Sequence, residues 1–99
     1  MTELAEQISF LIDGMRLAIR DFESEKISIV RLTWELKSRI AELGKVTEGT
    51  WASELKDIWN QLELVNAFFI ESGREVLNAD EKNELAEILL EIEAKIAAR

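Results

Sequence analysis

Asp80, Glu84, Glu87 and Glu91 recur at steps of four, three and four residues. On a helix that spacing puts four carboxylates on one flank. Paired carboxylates can move protons or hold a cation, so this flank is the first place to look for chemistry. The rest of the composition narrows the options. The 99-residue chain has no histidine, cysteine or tyrosine. Nucleophilic centres built on histidine or cysteine are therefore excluded. The carboxylate-bridged di-iron sites of helical bundles need a Glu-x-x-His pair, which this chain cannot supply. Zinc would have to be held by carboxylates alone, which is unusual. No glycine-rich phosphate loop is present. By rotation around the helix, the four acids lie well away from the apolar stripe Leu85, Ile88, Leu89, Ile92 and Ile96, so they are expected in solvent. The expectation is a protein that is not an enzyme and carries no cofactor or metal.

The remaining use of such a flank is contact with another protein. Charge complementarity speeds encounter and penalises wrong partners. Asp57 and Gln61 neighbour Leu64 and Phe68 on the preceding helical stretch. Apolar groups beside acids suit an anchor with a polar rim. The candidate partner-binding residues are thus Asp57, Gln61, Leu64, Phe68, Asp80, Glu84, Glu87 and Glu91. The bland alternative is a solvated face that only keeps the protein soluble.

Net charge is −8. Residues 1–49 carry nine acids and seven bases, and residues 50–99 carry eleven acids and five bases. The negative excess sits in the second half. It repels nucleic acid and anionic membrane surfaces and attracts a basic partner. No apolar run approaches the roughly 20 residues of a membrane span. The first residues, MTELAEQ, lack the basic start of a secretory signal, so the expected location is the cytoplasm.

Four helices must position these groups. Leu4, Ile8, Leu11, Met15, Ala18 and Phe22 predict a first helix over about residues 3–23, with Ile12 and Ile19 widening its stripe. Phe10 and Leu17 fall on another flank. Ser24-Glu25-Lys26 is a polar break, and Ser28 is placed to cap the second helix. Ile29, Leu32, Thr33, Leu36, Ile40 and Leu43 give that helix its stripe, and Gly44 is expected to end it. Trp34 is off the stripe, either folded over the core edge or exposed. The stretch Gly44–Thr50, GKVTEGT, reads as a connection, with Thr50 capping the third helix. Trp51, Leu55, Ile58, Trp59, Leu62, Val65 and Phe69 form the most aromatic stripe in the chain. Gly73 is placed to end that helix, with a short loop over Arg74–Leu77. Asn78 and Glu81 make a capping-box pattern that opens the last helix. Four amphipathic helices with short links, no strand pattern and no proline predict an all-α, antiparallel up-down four-helix bundle over residues 1–99 as a single domain.

Trp34-Glu35-Leu36, Trp51, Trp59-Asn60-Gln61-Leu62-Glu63 and Asn66-Ala67 carry a pattern of spacing over roughly residues 27–72. In this the chain resembles the small helical immunity proteins of bacterial polymorphic-toxin and contact-dependent inhibition systems. The resemblance implies a non-enzymatic inhibitor of a cognate protein toxin. Toxins of this kind are often nucleases, whose basic surfaces suit an acidic inhibitor. No binding residue is carried over from the resemblance. The rival is a self-associating structural or regulatory bundle, an acidic secretion chaperone included, with Phe10, Leu17, Leu64 and Phe68 as its seam. Monomer and homodimer both stay open. The secreted helical hairpins marked by Trp-x-Gly fit poorly, because Gly49-Thr50-Trp51 runs in the opposite order and four helices are expected rather than two.

Overall fold

A computed structural model describes residues 2–99 as four helices, with no strand among them. They are α1 (Thr2–Glu23), α2 (Ile29–Val46), α3 (Trp51–Ser72) and α4 (Ala79–Ala97). Each helix turns most of the stripe that its apolar spacing defines towards the core. Met15, Ile19, Leu32, Leu36, Leu43, Leu55, Leu62, Leu85 and Ile92 are the largest side chains withdrawn from solvent, and together they draw on all four helices. They belong to one core cluster in a helical bundle of 47 × 24 × 19 Å. Each helix packs closely on the next in sequence, while α1 and α4 meet more sparsely.

Local chemistry fixes most helix ends. The Ser28 hydroxyl accepts from the Arg31 N–H at 3.2 Å and caps α2. Gly73 takes the left-handed conformation (φ 71°) at the end of α3, where a side chain would be strained. Asn78 caps α4 in a complete capping box. Its side chain accepts from the Glu81 N–H at 2.8 Å, and the Glu81 carboxylate accepts from the Asn78 N–H at 2.9 Å.

Three sequence expectations change and one open alternative closes. Gly44 does not end α2, which continues to Val46. The helix stops where the Thr47 N–H and hydroxyl both donate to the Leu43 carbonyl, at 3.0 and 2.7 Å. Val46 is meanwhile half-buried against the core. Thr50 stands at the cap position of α3 but makes no capping bond, because its hydroxyl donates to Glu54 instead. Leu4 is 48% exposed despite its place on the α1 stripe. The reason is length: α1 has 22 residues and α2 has 18, so the first turn of α1 overhangs by about 6 Å at 1.5 Å per residue. Trp34, left open between core edge and solvent, is 60% exposed.

Two polar residues enter the core. Thr33 donates its hydroxyl to the Ile29 carbonyl at 2.7 Å. Asn66 is buried on α3, and its Oδ1 has no hydrogen-bond partner. An unpaired buried acceptor costs about 1–3 kcal/mol. Asn66→Leu, close in size and apolar, is expected to raise the unfolding free energy by about 1 kcal/mol. Chemical denaturation measures it, and a less stable variant would mean that water bonds Oδ1 in solution.

Candidate partner interface

The α3–α4 side is fixed by two contacts between the helices and one from the loop that joins them. The Trp51 Nε1–H donates to the Lys95 carbonyl at 3.0 Å, which brings the start of α3 beside the end of α4. Lys95 also forms an ion pair with Glu54. At the other end, Arg74 grips Glu81 through two parallel bonds of 2.8 and 2.7 Å across the connecting loop. Such forked pairs are the best-oriented ion pairs available to proteins.

Glu54 therefore marks the edge of α3 that faces α4. Gln61 and Phe68 follow it at seven-residue steps, so they continue the same edge. Asp57 and Leu64 lie about 60° and 80° further round, on the face turned away from the core. On α4, Lys95 plays the same role. Glu91 and Glu84 sit four and eleven residues before it, on its edge, with Asp80 and Glu87 just outside. The eight predicted residues thus fall on the neighbouring edges and outward faces of α3 and α4. All eight are exposed. Leu64 is 60% and Phe68 67% exposed, and neither is needed to fill the core. The Asp57, Asp80, Glu84, Glu87 and Glu91 carboxylates make no ion pair among the described residues, so their charge projects into solvent. Nowhere among the described residues do three ligating side chains gather to hold a metal ion.

The rival seam is divided by the fold. Arg39 of α2 lies over Gly14, so Gly14 marks the edge of α1 that faces α2. Phe10 and Leu17, four residues before and three after, flank that edge and are 73% and 55% exposed. They lie on the α1–α2 side, while Leu64 and Phe68 lie on the α3–α4 side. One isologous contact cannot use all four.

No family model, curated protein or solved structure matches the chain. The site is therefore read from its own geometry and charge. Electrostatics at its upper end are specific. The forked bonds from Arg74, and then the Asn78 N–H, pull the Glu81 carboxyl down to about 2. A group lowered in this way adds stability above its ordinary value near 4.5, and that stability is lost as pH falls through about 2. Glu81→Gln is expected to flatten this acid dependence between pH 5 and pH 2. Melting temperatures of both proteins across that range test it, and equal slopes would assign acid sensitivity to other groups. Glu54 is also lowered, first by its hydrogen bond from Lys95 and then by Thr50.

The sequence reading did not single out Ile70 or Leu90 as surface residues, yet they are 57% and 65% exposed. Their apolar type gives no sign of it. Leu90 stands off the α4 stripe, whereas Ile70 shares the angle of Trp59 around α3 and is exposed in the last turn of the helix.

Proposed function

We propose that this protein is an immunity protein that binds and neutralises a cognate bacterial toxin domain through its α3–α4 side. One observation carries the reading. Five carboxylates free of ion pairs, among the described residues, share the α3–α4 side with the exposed Leu64 and Phe68. Apolar anchors beside acids of one charge suit a partner with complementary charge and a pocket of its own. The partner expected is a basic protein surface, as on a nuclease, with neither nucleic acid nor membrane as ligand. Among the described residues, no helix is long and apolar enough to cross a membrane. The action is steric and electrostatic, without catalysis or a cofactor, and its place is the bacterial cytoplasm. The proposal includes the antiparallel, up-down helix order, which the short links and the Trp51–Lys95 bond support.

Co-expression with the product of the adjacent gene tests the reading, because an immunity gene stands beside its toxin gene. A stable complex that abolishes the toxin's activity is the expected result. A neighbour that neither binds nor harms cells would remove the proposal.

A second reading is favoured by the α1–α2 side. Phe10 and Leu17 are large, apolar and exposed there, as a self-associating bundle would require. Sedimentation separates the two. A dimer broken by Phe10→Ser and Leu17→Ser supports self-association, and a monomer at all concentrations removes it.

A further inference from the structure

The α2–α3 side has the opposite chemistry to the α3–α4 side. Ile40, Ala41 and Gly44 of α2 face Ala52 and Trp59 of α3 across a groove of about 250 Å³. Its floor is apolar because the residues along the helix contact are small. A Cβ added at Gly44 would already stand 3.9 Å from the Ala52 Cβ. Two lysines border it. Lys37 lies 5.8 Å from the centre of the Trp59 ring, and Lys56 borders the groove from α3. Neither makes an ion pair among the described residues, although the protein carries 20 acids against 12 bases. The apolar surface extends along α2. Val30, Trp34, Lys37 and Ala41 recur at helical spacing on one line, and Val30 and Trp34 are 48% and 60% exposed. The line is about 17 Å long at 1.5 Å per residue. Glu63, four residues after Trp59, places an acid on the same side of α3, at the end away from Lys56.

We infer that this α2–α3 groove is a second docking site, which takes an acidic, apolar segment of a partner protein. Three features select that occupant. Unpaired lysines beside an apolar floor complement carboxylates that flank an apolar side chain. The groove is smaller than the roughly 300–1,000 Å³ typical of whole small-molecule ligands, so it suits a single large side chain. The exposed line above it continues for three turns, which suits an extended or helical segment laid along α2. The inference is independent of the α3–α4 reading, since the two surfaces call for partners of opposite charge.

The probe is a synthetic 12-residue helical peptide with leucines along one face and glutamates on both sides. Its control is an isomer of the same composition with the leucines scattered. Amide and indole signals of the ¹⁵N-labelled protein report where each binds. Saturable shifts are expected at Lys37, Ala41, Ser53, Lys56 and the Trp59 indole, with the patterned peptide binding more tightly. Lys37→Gln with Lys56→Gln should weaken binding about tenfold, through loss of two local charges. Lys26→Gln with Lys82→Gln removes the same net charge elsewhere and should change it by less than about twofold. Ala41→Phe, at an exposed position, should fill the groove and block the peptide. Four outcomes overturn the inference: no saturable shift at millimolar peptide, shifts confined to another face, equal binding of the two isomers, or equal weakening by the two lysine pairs. If the same signals move with protein concentration alone, the groove belongs to a second copy of this chain, and the partner-segment reading also fails.

Discussion

Trp59→Ala is expected to lower the unfolding free energy by about 3–5 kcal/mol. The ring is 6% exposed and stands where α3 meets α2. Its Nε1–H donates to the Thr33 carbonyl at 3.0 Å, and the Lys37 ammonium lies 5.8 Å from the ring centre. Truncation removes the buried area, leaves a cavity that the surrounding core cannot fill without shifting, and deletes a hydrogen bond that joins two helices. The hydrogen bond alone contributes about 1 kcal/mol, so area and cavity dominate. Trp59→Phe keeps most of the ring and should therefore cost much less than the alanine variant. Urea denaturation followed by circular dichroism gives both values. A loss below about 1 kcal/mol for the alanine variant would place the ring outside the core.

The second large effect concerns association. Replacing Glu84, Glu87 and Glu91 with lysine should slow capture of a basic toxin domain by about 10- to 1,000-fold at low salt, the range over which electrostatic steering acts. The loss should shrink as ionic strength rises, because exposed charges are screened beyond about 10 Å at 0.1 M. These residues are exposed and unpaired among the described residues, so the fold should survive the change. Phe68→Ala acts on the other rate. A ring that anchors the complex is a contact formed after encounter, so its loss should speed dissociation by about 30-fold, the equivalent of a 2 kcal/mol hot spot. Since Phe68 is 67% exposed, the variant should melt close to the parent. Surface binding kinetics with the adjacent gene's product, at several salt concentrations, measure both. A folded charge-reversed protein with unchanged kinetics would take α4 out of the interface.

Both effects depend on features of different legibility. The apolar stripes of α2 and α4 could be read residue by residue, because a helix repeats its faces every three to four positions whatever it packs against. Caps were legible for the same local reason. Ser28, Gly73, Asn78 and Glu81 act within one turn of themselves. Gly44 shows where local reading stops. A glycine near the end of a helical pattern is a fair stop signal, but the helix runs past it to bury Val46. The composition could say that the second half is the acidic one. It could not say that the helices carrying Asp57–Phe68 and Asp80–Glu91 lie side by side.

What the sequence determined by itself was a set of four helices, their inward faces, and a chain without histidine or cysteine chemistry. Those depend on residue type and on spacing within a turn or two. The tertiary structure decided which outward flanks meet. Glu54 on Lys95 joins the two acidic edges, Arg39 over Gly14 carries Phe10 and Leu17 to the other side, and Trp59 on Thr33 opens a groove between two lysines. These pairings link residues 25 or more positions apart. They depend on how each helix is rotated against its neighbour, which the packing of all four stripes fixes together and no single stripe encodes.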